Sequence, residues 1–201
     1  MQDTGPDTNL YAPPVSGIRV EAPTEALQAH TFYVVSIPKF CVLYVATFGI
    51  YGLYWFYMHW QRYRRGHGRH ESIWPVPRAF FSIFFAHALV ARIEAVLGPD
   101  RSDVRWSPGL LATTYVVFEI ASNILGRLDG RGIGSPATGI LAIAAIAPIA
   151  LALLQIQGAA NHACGDPDGG SNRRFTWANV CWIVLGLVVW TLVLIGIFLP
   201  A

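Results

Sequence analysis

The chain has 201 residues, of which 54% are hydrophobic and 13% charged, and its 14 Lys and Arg against 12 Asp and Glu give a formal net charge of +2. This composition is too apolar for an ordinary water-soluble domain, and the charge is too small for a nucleic-acid partner, which calls for a concentrated basic surface. Three stretches, Phe40 to Trp60, Gly132 to Cys164 and Phe175 to Ala201, contain no Asp, Glu, Lys or Arg, and a fourth, Trp106 to Gly126, contains Glu119 alone. Each reaches the roughly 20 residues that a helix needs to cross a hydrocarbon core of about 30 Å. No loop between them is long enough to bury a soluble core. The expected fold is therefore all-α, an integral membrane helical bundle of about four transmembrane helices plus a short amphipathic or tilted helix. Residues 1–35 are expected to form a disordered Pro-rich tail, and 36–201 the transmembrane domain.

In chain order, Met1 to Thr31 is polar, with Pro6, Pro13, Pro14 and Pro23. It offers no apolar run for a cleavable signal peptide, so the first apolar segment is expected to serve as its own signal. That segment opens with Ser36 as a candidate N-cap and Pro38 in the first turn, where a missing N–H is harmless. Its second half is crowded with Tyr51, Tyr54, Trp55, Phe56, Tyr57 and Trp60, which reads as an aromatic belt at headgroup level. Arg62-Tyr-Arg-Arg-Gly-His-Gly-Arg-His70 follows, the densest positive charge in the chain, and the positive-inside rule puts it in the cytoplasm. Gly49 and Gly52 allow an alternative in which the segment breaks into a re-entrant hairpin instead of spanning.

Ala79 to Ala91 provides 13 residues between Arg78 and Arg92, about 20 Å as a helix and short for a span. Phe81, Phe85, Leu89, Ile93 and Val96 form an apolar stripe with His87 and Glu94 opposite, favouring an interfacial helix over a tilted span. Charge counting discriminates between topologies. A spanning first segment with an interfacial second one divides the Lys and Arg residues 10 to 4, a re-entrant first segment 12 to 2, and two spans seven to seven. The hairpin scores best by this measure.

Glu119 is the leading candidate site residue. An ionisable group near mid-bilayer costs about 3 kcal/mol on insertion scales and normally faces a partner or water. At helical spacing it shares a small, polar face with Tyr115, Ser122 and Asn123, pointing into the bundle. Two readings follow: a proton or cation site, or a glutamate that joins helices by hydrogen bonding. The next span is rich in Ala and Gly and is expected to be the central packing element, with Pro148 removing the bond to the carbonyl of Ala144 and kinking it. Gln155, Gln157, Asn161 and His162 end it, and Gln155, Asn161 and His162 make a candidate polar cluster at the cytoplasmic face.

Other clusters carry less. His67 and His70 beside Glu71 have a metal-like spacing, but the neighbouring glycines and arginines argue against both helix and metal. Asp166-Pro-Asp-Gly-Gly-Ser-Asn172 starts like a calcium loop and lacks its closing glutamate, so a tight turn is expected. Cys41, Cys164 and Cys181 have no Cys-x-x-Cys spacing and read as free thiols. No nucleophile elbow, phosphate loop, dinucleotide fingerprint or paired carboxylates occur, so no catalytic residue, cofactor or metal is expected.

Thr47-Phe-Gly-Ile-Tyr-Gly-Leu-Tyr-Trp-Phe-Tyr57 resembles the Thr-Leu-Gly-Ile-Tyr-x-x-Tyr-Trp-x-Tyr signature of a family of small bacterial multi-pass membrane proteins of unknown function. Thr47, Gly49, Tyr51, Tyr54, Trp55 and Tyr57 carry the match. Asn9-Leu-Tyr-Ala-Pro-Pro14 is similar to an Asn-Pro-Tyr-x-Pro-Pro opening common in small bacterial membrane proteins. Ile73-Trp-Pro-x-x-Arg-Ala-Phe-Phe81, Trp106-Ser-Pro-Gly-Leu110 and Asn172-Arg-Arg-Phe-Thr176 look like segments of uncharacterised gamma-proteobacterial membrane proteins. The resemblance implies a bacterial inner-membrane location and no particular activity, and family members with soluble domains ahead of the signature imply a cytoplasmic tail. Taken together, the sequence points to a non-enzymatic interaction protein or accessory subunit in the lipid bilayer, forming a homo-oligomer or joining a membrane-protein partner. A small transporter or channel using Glu119 is the alternative. A membrane enzyme acting on a lipid headgroup through His67, His70 and Glu71 is the third class.

Overall fold

The computed structural model describes residues 31–67, 72–98 and 106–198; residues 1–30 of the expected Pro-rich tail, His70 and Glu71 lie outside these, whereas residues 31–35, counted with that tail, are ordered and buried in the bundle. The described residues form an all-α bundle with no strand among them. Three helices, Pro108–Asp129, Ala137–Ala163 and Trp177–Gly196, are long and apolar enough to cross a membrane, and Ile37–Ala46 is a shorter apolar helix.

The first apolar segment does not run straight through. Helix α1, Ile37–Ala46, has 10 residues, about 15 Å and half of a hydrocarbon core. Phe48 and Gly49 then take positive φ of 54° and 81°, a combination that reverses the chain and that glycine tolerates at the second position without a side-chain clash. Helix α2, Tyr51–His67, returns alongside. Phe40 meets Tyr51 and Trp55 near the turn, with ring centroids 6.0 and 5.7 Å apart, while Phe32 meets Tyr63 at 5.7 Å near the base. Of the two arrangements open to this segment, the structure takes the hairpin.

Thr47 holds the turn together. Its Oγ1 donates to the Leu43 carbonyl at 2.7 Å and accepts from the Tyr51 N–H at 3.0 Å, so one hydroxyl closes α1 and opens α2. The Gly49 N–H reaches the Tyr44 carbonyl at 2.9 Å, and the Trp190 indole donates to the Val45 carbonyl at 2.8 Å. Irregular backbone away from water persists only where its polar groups are satisfied in this way. A Cβ on Gly52 would sit 3.2 Å from the Tyr44 ring, which accounts for the second glycine.

The aromatic residues of α2 differ from the expected belt. Tyr51, Trp55, Phe56 and Trp60 are buried inside the bundle, because neighbours close around α2 on several sides. Helix α3, Pro75–Phe80, and helix α4, Ser82–Leu97, meet at a break at Phe81. Together they supply the short helix expected in this region, packed into the bundle against α2 and against the helices Pro108–Asp129 and Ile146–Ala163. The inward face of α4 is Ser82, Ala86, Leu89, Val90 and Ile93. Leu89 and Ile93 of the predicted stripe are buried and Phe85 and Val96 pack on the core, but Phe81, with Phe84, points outward and is exposed, since Ser82 and Ala86 let the backbones approach more closely than Phe81 would. Arg78 lies over the Trp60 ring at 4.4 Å, and Arg92 over Trp60 and Tyr63 at 5.3 and 5.4 Å.

Helix α5, Pro108–Asp129, runs antiparallel to α4, with the Ser82 and Tyr115 hydroxyls 2.7 Å apart. At its far end Asp129 accepts from Thr138 Oγ1 and from the Gly139 N–H at 3.2 and 3.1 Å, starting the return. The return is helix α6, Ala137–Ala144, and helix α7, Ile146–Ala163, interrupted at Ala145 where Pro148 denies Ala144 its bond. Helix α7 is central, packing on α1, α4, α5 and α6. After a 3-10 turn, Gly170–Asn172, helix α8, Trp177–Phe198, crosses the hairpin. A Cβ on Gly186 would lie 2.0 Å from the Ala46 carbonyl oxygen, so glycine permits this backbone contact.

Candidate functional site

Glu119 stands at the middle of α5. The polar groups that share its face are engaged elsewhere. The buried Tyr115 hydroxyl pairs with Ser82, Ser122 Oγ donates to the Ala142 carbonyl at 3.0 Å, and Asn123 Nδ2 donates at 2.8 Å to the backbone carbonyl of Glu119, not to its side chain. No hydrogen bond from the described residues reaches the Glu119 carboxylate. It lines instead a cavity of about 510 Å³ bounded by the hairpin turn at Tyr44 and Gly49, by Ser82 and by Tyr115. It also lines a second cavity, about 640 Å³, which continues past Ser122 and Asn123 to Arg127 and Asp129 at the far end of α5. The side chain is half-buried.

At the opposite end of the bundle the polar residues of α7 act as a ladder. Residues 31–36 are buried, and a buried backbone outside a helix needs partners. Gln157 Nε2 donates to the Tyr33 carbonyl at 2.9 Å and to Asn161 Oδ1 at 2.7 Å. Asn161 Nδ2 donates to the Val35 carbonyl at 2.9 Å, while its Oδ1 accepts the Val35 N–H at 3.3 Å. One turn on, Cys164 Sγ accepts from the Phe32 N–H at 3.4 Å. Spacings of four and three residues put all three on one face. Of the sequence-derived cluster, only Asn161 is on it. Gln155 and His162 are exposed, and Gln155 bonds back to its own helix at Leu151.

The signature residues divide their work. Thr47 and Gly49 build the turn, Trp55 Nε1 donates to Gln157 Oε1, and Tyr51 shares a hydroxyl contact of 3.2 Å with Tyr33. Tyr54 packs edge-on against Tyr33 at 6.0 Å, and Tyr57 is half-buried beside the core. These six residues therefore build a hairpin and its docking surface. His59, absent from the sequence-based candidates, is fully buried with Nε2 3.3 Å from Gln157 Oε1, and its Nδ1 has no hydrogen-bond partner among the described residues. Its signal was the spacing of four from Trp55, matching that of Gln157 and Asn161.

Lys39 lies in the first turn of α1. It is 3% exposed, and its Nζ donates to Asn172 Oδ1 and to the Arg174 carbonyl, both at 2.7 Å. The Asp166 loop is a tight turn in which the carboxylate accepts the Gly170 and Ser171 N–H groups at 2.8 and 2.9 Å. Those bonds, led by Ser171, hold its carboxyl below the usual range, because they favour the charged form. The three cysteines are free, and no group of three His, Cys, Asp or Glu side chains among the described residues could hold a metal ion. No family model, curated protein or solved structure matches the chain.

Proposed function

We propose that this is a non-enzymatic multi-pass protein of a bacterial inner membrane in which Glu119 accepts a proton or small cation on a path through the bundle. The observation that carries the reading is the Glu119 carboxylate, which lines two cavities and takes no hydrogen bond from the described residues. A glutamate serving to join helices would be expected to bond across to a neighbour, an interaction worth about 0.6 kcal/mol on average between membrane helices. A group left unpaired at mid-bilayer is instead a functional-site hypothesis by default. The basic end of the bundle, with Arg62, Arg64, Arg65, Arg173 and Arg174, would face the cytoplasm under the positive-inside rule. In reconstituted vesicles, proton or cation flux should depend on pH and be abolished in Glu119→Gln. Flux that is unchanged in this variant, or none in the wild type, would sink the proposal.

A second reading, an accessory subunit or homo-oligomer acting through helix contacts, is favoured by α8. That helix meets the hairpin at Gly186 and leaves Val184, Leu185, Leu187, Val188 and Leu192 exposed. Purification in mild detergent with mass measurement tests it, and a stable monomer with no co-purifying protein would count heavily against it.

A further inference from the structure

We propose that the cavity at the basic end of the bundle, about 800 Å³ in volume, binds a phosphate-bearing anion, the chemistry shared by an anionic phospholipid headgroup and by free phosphate. Its walls come from parts of the chain far apart in sequence: Tyr33 and Lys39 at the hairpin base, Tyr54 and Arg62 on α2, Asn172 in the 3-10 turn and Trp182 on α8.

Two cations line this space, and each is positioned by a neutral group. Lys39 spends two of its three N–H donors on Asn172 Oδ1 and the Arg174 carbonyl, leaving one. Arg62 lies over the Tyr33 ring at 5.7 Å, and no described residue accepts a hydrogen bond from its guanidinium. The fork of a guanidinium matches the oxygens of a phosphate in a bidentate arrangement. The carboxylate on the cavity wall, Asp166, already has both oxygens occupied by the Gly170 and Ser171 N–H groups.

Two cations against the single Asp166 carboxylate thus leave the pocket lining with a net positive charge. Holding cations in a partly desolvated cleft is unfavourable without a counter-charge. Its location among Tyr33, Tyr54 and Trp182, beside the arginines, is where a bilayer presents its headgroups, and basic pockets between membrane helices take anionic headgroups. An aromatic wall with a polar floor suits a headgroup whose acyl chains leave along α8.

The test is native mass spectrometry of the full-length, delipidated protein in detergent, titrated with phosphatidylglycerol or phosphatidylcholine, with and without millimolar inorganic phosphate. Phosphatidylglycerol should be retained with about tenfold higher apparent affinity than phosphatidylcholine, as charge-assisted bonds predict. Arg62→Gln should abolish that preference, while Arg65→Gln, which lies outside the cavity, should keep it. Thermal unfolding confirms that both variants are folded. If inorganic phosphate displaces the lipid and itself raises the unfolding temperature, the ligand is a soluble phosphate. If it does neither and the preference persists, the ligand is a lipid headgroup. Equal retention of the two lipids with no effect of phosphate, or an Arg62→Gln variant indistinguishable from wild type, would overturn the proposal.

Discussion

A single hydroxyl does two jobs at the hairpin turn. Thr47 Oγ1 donates back to Leu43 and accepts from Tyr51, so removing it leaves the Tyr51 N–H without its partner, while the Leu43 carbonyl keeps the Thr47 N–H at 3.2 Å, in a place that Phe48 and Trp190 cover with an edge-to-face contact at 4.9 Å. A buried unsatisfied group costs about 1–3 kcal/mol. Thr47→Val, similar in shape, should therefore destabilise the protein by about 2 kcal/mol, whereas Thr47→Ser should retain most of the stability. Denaturation in detergent micelles compares the two, and a Thr47→Val variant as stable as Thr47→Ser would show that the hydroxyl is dispensable. The identity of Thr47 was legible in the sequence as part of a signature, but its chemistry was not, since the partners of a side chain appear only once the turn has formed. The same holds for Glu119, whose place on a polar helical face was readable while the absence of a partner for its carboxylate was not. Gln155 illustrates the opposite case. It had the right composition and the right helix, yet the extended segment that needs hydrogen bonds runs past the face bearing Gln157 and Asn161.

At the scale of elements, helix α8 and helix α1 meet at one glycine. Any larger residue at position 186 would push a Cβ into the Ala46 carbonyl, and close approach of this kind is the usual way small residues bring membrane helices together. Gly186→Ala should shift α8 away from the turn, break the Trp190 bond to Val45 and cost about 1–3 kcal/mol, as overpacking generally does. Trp190→Phe, by comparison, should lose the indole bond alone, about 1 kcal/mol. Unfolding midpoints of the two variants check the ordering, which fails if Trp190→Phe is the more damaging. Helix boundaries followed local chemistry closely: Pro38, Pro75 and Pro108 each sit in a first turn, and the interruption at Ala145 precedes Pro148 as expected for a missing donor. The inward face of α4 followed from hydropathy in part: Leu89 and Ile93 are buried and Phe85 and Val96 pack on the core as the stripe predicts, while Phe81 is exposed and Ser82, Ala86 and Val90 are inward, because both faces are apolar and the neighbours decide how the helix is rotated.

For the molecule as a whole, the bases of the hairpin, α2 and α7 gather at one end, with Phe32 stacked on Tyr63 and bonded to Cys164. Arg92 over Tyr63 brings the end of α4 to the same place, while Arg127 and Arg131 belong to the other. This arrangement predicts a labelling pattern. In a variant freed of its three cysteines, cysteines introduced at Gln2, Arg64 and Ser171 should react with a membrane-impermeant maleimide from one face of the bilayer, and one at Arg131 from the other. Labelling of Gln2 and Arg64 from opposite faces would mean that the first segment spans after all. The sequence by itself determined that the protein is helical and membrane-embedded, where its long helices lie and which residues punctuate them, because length, hydropathy and proline act locally. Only the tertiary structure decided that the first segment turns back, that its aromatics are core and not belt, and that Glu119 faces open space. The first two outcomes depend on groups more than a hundred residues away, such as Gln157, Asn161 and Trp190, meeting a backbone that would otherwise lack partners, and the third on helices that come together around Glu119 only in the folded bundle.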